Sequence, residues 1–189
     1  MFKLYFYSDF EKLSEKELSE ITESMPQSVK ERAGRYKKEE DRKKSFLCYN
    51  LLKTALENDY GINDFELLFS EKGKPYLKDR NDIFFSISHS KKCCVCVISD
   101  RETGVDAEEI KPFSQRLAEK VCSENELREI EKSPDKAREF TKIWTRKEAY
   151  LKALGTGIDR ELITIDTTDK KLKFTTEITE DFIVSVFCL

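Results

Sequence analysis

Residues 82–110, DIFFSISHSKKCCVCVISDRETGVDAEEI, decide the fold. Their apolar side chains come in three short runs, Ile83–Ser88, Val95–Ser99 and Gly104–Glu108, separated by polar turns. Each run has the length and β-branched or aromatic content of a strand. Upstream, residues 39–58 predict the clearest helix. Leu47, Leu51, Leu52, Ala55 and Leu56 form its apolar stripe, and Gly61 stops it. Further strands are expected at 2–8, where Phe2, Leu4 and Phe6 share a face, and at 65–69, before a turn at Gly73-Lys74-Pro75. Ser14 opens a polar helical stretch with a capping box. Downstream, Ser123 caps a short helix, residues 136–154 form a longer one ending at Gly155-Thr156-Gly157, and strands are expected at 162–167, 171–176 and 182–187. Each half holds helices amid strands, without the βαβα alternation of a parallel doubly wound sheet and without a sequence repeat. The expectation is an α+β protein of two lobes, 1–100 and 101–189.

Composition limits the function. The 189 residues carry 34 basic and 37 acidic side chains, a net charge of −3, so no uniform nucleic-acid-binding surface is expected. The 39% hydrophobic content, with 13 Phe, suffices for a core. No run reaches a membrane helix, and the first residues lack the apolar region of a signal peptide, so a cytoplasmic protein with no membrane partner is expected. The six cysteines have no disulfide-framework spacing and read as reduced, buried thiols. Zinc at Cys93 and Cys96 fails because a strand aims residues three apart at opposite faces.

Three places can carry chemistry. Asp106 and Glu108 lie two apart on a strand, so both carboxylates project from one face. Taken alone, the pair fits solvated acids on an edge strand, or a hard divalent cation such as Mg²⁺. Trp144, Glu148 and Lys152 fall at i, i+4 and i+8 along the 136–154 helix. They read either as a core Trp beside an ordinary Glu–Lys pair or as a carboxylate and an ammonium serving a metal and a phosphate. His89, flanked by Ser88 and Ser90 with Lys91 and Lys92 nearby, suits an anionic ligand, phosphate above all. The basic stretch from Lys30 to Lys44 is diluted by Glu31, Glu39, Glu40 and Asp41. It carries no nucleic-acid motif, and there is neither a Walker loop nor a GxGxxG.

The order GKPYL (73–77), FFSISHS (84–90), GVDAEEIKP (104–112) and FTKIWTRKEAYLKALGTGI (140–158) resembles the 4′-phosphopantetheinyl transferases, in particular their monomeric two-lobed kind. The resemblance implies two similar, pseudo-twofold-related α+β lobes with coenzyme A in the cleft between them. It implies transfer of 4′-phosphopantetheine from coenzyme A to a serine of an apo acyl- or peptidyl-carrier protein of nonribosomal peptide or polyketide biosynthesis, releasing adenosine 3′,5′-bisphosphate. By the same resemblance Asp106, Glu108 and Glu148 hold Mg²⁺ in the C-terminal lobe, and Lys152 meets a pyrophosphate oxygen. Ser88 and His89 contact the nucleotide phosphates, while Arg32, Lys44, Ser45 and Lys74 approach the adenosine bisphosphate half. The base that takes the serine proton is Glu148, Glu126 or a water. Glu126 also completes a capping box with Ser123. A monomer without nucleic-acid partner is implied. The other readings weighed are an inactive coenzyme A or carrier-protein binding module and a nucleic-acid-binding protein using residues 30–44.

Overall fold

The computed structural model describes residues 1–8, 13–157 and 162–189. In chain order its elements are β1 (Phe2–Tyr7), α1 (Glu15–Glu23), α2 (Gln27–Ala33), α3 (Glu39–Tyr60), β2 (Leu67–Phe69), β3 (Pro75–Leu77), β4 (Phe84–His89), β5 (Cys94–Ser99) and β6 (Thr103–Glu109). Then come α4 (Gln115–Val121), α5 (Glu124–Lys132), α6 (Lys136–Leu154), β7 (Phe174–Ile178) and β8 (Phe182–Cys188). The chain is α+β, as its strand and helix pattern predicts.

Strand alternation sets the layers. All six residues of β5 are buried because both of its faces are covered. Cys94, Cys96 and Ile98 join Leu47, Leu51 and Leu52 of α3 in one core, whereas Val95 and Val97 meet Val105, Ala107, Val184 and Val186 in another. The first sheet, antiparallel in the order β1-β5-β4, therefore lies between α3 and the second sheet, antiparallel in the order β6-β8-β7. On its other face the second sheet carries α6, through Ala149, Ala153 and Phe187. In both sheets the first strand is an edge, helices follow, and the last strand returns to the centre. The two lobes thus share a topology that their sequences do not show. The β2–β3 ribbon is an addition to the first.

Local signals place the ends of several elements. Ser14 with Glu17 and Ser123 with Glu126 form the expected capping boxes. Gly61 closes α3 at φ 66, a conformation open to glycine at little cost. Cysteines alternate as expected, and all six thiols are free. Phe2 and Leu4 lie against the inter-sheet core, but Phe6 runs beyond it and is 54% exposed. No helix among the described residues is long and apolar enough to cross a membrane.

Two expected strands differ. Residues 162–167 form a 3-10 turn over Leu162–Thr164 and then a loop. Their backbone groups bond side chains instead of a ladder: Lys147 Nζ donates to the carbonyls of Leu162 and Ile165, and the Thr167 amide donates to Glu126 Oε1 at 2.9 Å. The strand expected at 171–176 starts at Phe174, because the Leu172 amide closes a turn onto the Asp169 carbonyl at 2.9 Å. Helix α2 has no distinct signal in the sequence. Ile158, the last residue of the fourth motif, lies outside the described residues.

Gly104 holds α6 onto β6. A Cβ there would lie 2.0 Å from the Ala149 carbonyl oxygen and 2.5 Å from the Ala153 nitrogen, both backbone atoms of α6. No side-chain rotation relieves such a contact, so the helix or the strand must move. Gly104→Ala is expected to lower unfolding free energy by about 3 kcal/mol or more, at the top of the overpacking range, as read in denaturant titration. A loss below about 1 kcal/mol would show that the approach is not a constraint.

Candidate active site

Because α6 rides so close on β6, its side chains at 148 and 152 reach over the carboxylate at 106. Lys152 Nζ lies 2.7 Å from Asp106 Oδ1 and donates to Ser88 Oγ at 2.9 Å. The Ser88 hydroxyl in turn donates to the same Asp106 Oδ1 at 2.9 Å, joining β4 of the first lobe to β6 of the second. Behind this triangle, Ser86 Oγ accepts from the Val105 amide at 3.2 Å and fixes β4 against β6.

Ser88 and Lys152 of this triangle line a cavity of about 460 Å³ between the lobes. Arg32, Ser45, Lys74, Ser88, His89, Glu148 and Lys152 all line it, gathered from α2, α3, the 70–75 turn, β4 and α6. Arg32 is held in place by the Gly73 carbonyl at 3.0 Å and the Phe69 ring at 4.5 Å. Lys74 reaches across the lobes, with Nζ 2.5 Å from Glu102 and 2.8 Å from the Ala153 carbonyl near the end of α6. Tyr36 meets the His89 ring edge-on at 6.3 Å between centroids. Burial, and then the charges of Lys44 and Lys152, hold the His89 imidazole below its usual range.

The other predicted site residues lie outside the cavity lining. Asp106 is 5% exposed behind Lys152 and Ser88. Glu108 is turned outward, accepting from Lys111 at 2.9 Å. Lys44 is buried and bonds Glu40 at 2.6 Å, next to His89 but not on the cavity wall. Glu126 is fully buried within 2.6 Å of Lys147 Nζ, and it also accepts from Ser123 and Thr167, so its carboxylate is taken up by α5, α6 and the 162–167 loop. Tyr36, Cys48, Tyr49, Phe85 and Leu151 line the cavity unanticipated. For Cys48 and Tyr49 the available signal was their spacing from Ser45, which puts all three on one face of α3.

Among the described residues two buried carboxylate oxygens have no hydrogen-bond partner, Asp106 Oδ2 and Glu148 Oε1. Burial, and then the Asp106 charge, raise the Glu148 carboxyl above its usual range. Unpartnered anionic oxygens are costly in such a place, and a hard divalent cation meeting both would relieve that cost. The residues therefore fit a metal of that kind. Among the described residues, however, no three His, Cys, Asp or Glu side chains are gathered ready to hold one. Glu108, bonded to Lys111 through Oε2, lies within electrostatic range of Glu148.

A family model described as the 4′-phosphopantetheinyl transferase superfamily matches residues 102–186, and one described as the 4′-phosphopantetheinyl transferase N-terminal part matches residues 12–101. The chain belongs to this superfamily. It is 30% identical over 148 residues to a 4′-phosphopantetheinyl transferase of Bacillus subtilis, covering 76% of this chain and 65% of that one. It is 28% identical over 154 residues to 4′-phosphopantetheinyl transferase Sfp of Bacillus subtilis strain 168, covering 79% and 69%. Against 4′-phosphopantetheinyl transferase HetI of Nostoc sp. it is 30% identical over 154 residues, covering 76% and 65%. The chain thus spans about two thirds of the length of these relatives. The N-terminal match contains His89, Lys74 and Arg32, and the C-terminal match contains Asp106, Glu148 and Lys152.

His89 is the protein's single histidine, so its titration can be followed without assignment. With its folded value depressed, the imidazole carries less charge near pH 6.5 than a free one does, and its contribution to stability is lost as pH drops below the unfolded value. An NMR titration of the ring should show a midpoint below 6.5. A midpoint at or above 6.5 would mean that the ring is solvated or paired with an acid.

Proposed function

We propose that this chain transfers the 4′-phosphopantetheinyl group of coenzyme A to a serine of an apo acyl- or peptidyl-carrier protein. The observation that carries the reading is the Ser88–Asp106–Lys152 triangle with the two carboxylate oxygens that have no partner among the described residues, against a cavity lined with cations. Such a cavity suits a ligand with several phosphates. Coenzyme A has a pyrophosphate and a separate 3′-phosphate, and the phosphate-binding side chains here, cations and the His89 ring, fall into two matching groups. Lys152 stands at the acids, where the pyrophosphate would lie. Arg32 and His89, with Lys44 behind, stand on the first-lobe wall, where the 3′-phosphate and adenosine would lie, and Lys74 and Ser45 flank the same half.

Asp106 and Glu148, with Glu108 turned in from Lys111, would hold Mg²⁺, which when bound supplies charge neutralisation for the pyrophosphate. The carrier serine Oγ bonds to the β-phosphorus of coenzyme A, the bridging P–O bond breaks, and adenosine 3′,5′-bisphosphate leaves. Lys152 stabilises the charge that develops on the pyrophosphate oxygens. The serine proton goes to Glu148, directly or through a water. Glu126, closed into its pair with Lys147, has no part in proton transfer in this reading. The division into lobes 1–100 and 101–189 belongs to the same proposal. So do a monomer working in the cytoplasm without nucleic acid or membrane, and a carrier protein of nonribosomal peptide or polyketide assembly.

Incubation with coenzyme A, Mg²⁺ and a panel of apo carrier proteins, followed by intact mass, tests the reading directly. At least one carrier should gain one phosphopantetheine, and chelation should abolish the gain. Glu148→Gln keeps the shape and removes the charge, so turnover should fall by about 10²-fold or more. A fall of less than tenfold would leave Glu148 an ordinary helix residue. Coenzyme A binding with no carrier modified would favour a binding module instead.

A further inference from the structure

The acids of the cleft are met by lysines of this same chain, in two unequal ways. Lys111 and Glu108 form a surface pair, their side chains 66% and 31% exposed. Solvent screens such a pair and it opens at little cost. Lys152 and Asp106 are 32% and 7% exposed, and the bond is locked by Ser88, which donates to Asp106 Oδ1 while accepting from Lys152. The carboxylate that would hold a cation through Oδ2 is therefore already neutralised through Oδ1.

We propose that Lys152 is the internal counter-ion of the metal site, which keeps divalent-cation affinity low until the donor's pyrophosphate draws its ammonium off Asp106. The inference rests on the reading of the cleft as a coenzyme A site and assigns its order of assembly. An ammonium and a divalent cation at one carboxylate repel each other, and inside the protein that repulsion is only partly screened. With Lys152 on Oδ1 a cation gains only part of the charge of Asp106. A pyrophosphate changes the balance because it is a new anion within reach of a flexible four-carbon stem on α6. Once Lys152 moves to a phosphate oxygen, Asp106 is left to the cation, which the same phosphates also attract. Donor and metal then strengthen each other's binding reciprocally. One lysine thus has two successive partners, a carboxylate of the protein and then the donor.

The test is an Mn²⁺ titration of donor-free protein, read as loss of the free-ion EPR signal, on the wild type, Lys152→Gln, Lys152→Arg and Asp106→Asn. Lys152→Gln removes the competing charge and should bind Mn²⁺ about tenfold tighter or more, the change that loss of one charged hydrogen bond produces. Lys152→Arg keeps a cation on Asp106 and should stay near the wild type. Coenzyme A should tighten Mn²⁺ binding much more in the wild type than in Lys152→Gln. Equal affinity in the wild type and the Gln variant overturns the proposal, as does equal tightening in Gln and Arg, which would trace the effect to packing. If Asp106→Asn abolishes Mn²⁺ binding and wild-type transfer proceeds while Lys152→Gln binds as the wild type does, only the counter-ion proposal falls. If Asp106→Asn binds Mn²⁺ as the wild type does and no carrier protein is modified, the reading of the cleft falls with it.

Discussion

At Gly104 the backbone of a strand touches the backbone of a helix. Because no side chain intervenes, α6 lies on β6 at a distance that no other residue type at 104 permits. Two positions along the strand is Asp106, and on the helix the contact residues Ala149 and Ala153 each follow directly on a charged one, Glu148 and Lys152. The reach of Lys152 to Asp106 is thus a consequence of backbone spacing. The second lobe's own core is completed by the same approach, through Ala149 and Ala153 against Phe187. Small residues on the buried face of the helix, alternating with charged ones at its cavity edge, serve packing and site together.

The charges on α6 are separated by burial into different tasks. Lys147 faces away from the cavity and is fully enclosed with Glu126, where its ammonium also holds the carbonyls of Leu162 and Ile165. Removing either partner of such an enclosed pair costs about 3–5 kcal/mol, because the other is left charged and unpaired. Glu148 and Lys152, by contrast, keep partial access to the cavity, and Glu148 has incomplete hydrogen bonding. Incomplete satisfaction marks the site more sharply than charge does: the chain has many Glu–Lys pairs, yet among the described residues only Asp106 and Glu148 have buried side-chain nitrogens or oxygens without a partner.

What was legible in the sequence was mostly local. The strands between residues 83 and 109, the 136–154 helix and both capping boxes follow from periodicity and from contacts three or four residues apart. The same-face placement of Asp106 and Glu108 follows from strand geometry, but the pairing of Glu108 with Lys111 depends on the course of the chain beyond the strand. Residues 162–167 misled because their apolar alternation is that of a strand, whereas their backbone partners, Lys147 and Glu126, come from distant helices. Lys147 itself, set between Arg146 and Glu148, looks solvated until its enclosure is seen. The cavity wall from Cys48 and Tyr49 was hidden for the same reason: a helix face shows its spacing in the sequence, but not what lies opposite.

The central claim is that the cleft between the lobes holds coenzyme A with a divalent cation at Asp106 and Glu148. Crystals of the protein grown with coenzyme A and Mn²⁺, measured at a wavelength where manganese scatters anomalously, test it most directly. The account predicts a single strong anomalous peak in contact with Asp106 Oδ2 and Glu148 Oε1, with the pyrophosphate beside it and Lys152 moved onto a phosphate oxygen. A peak elsewhere, or coenzyme A bound outside the cleft with Lys152 still on Asp106, would contradict it.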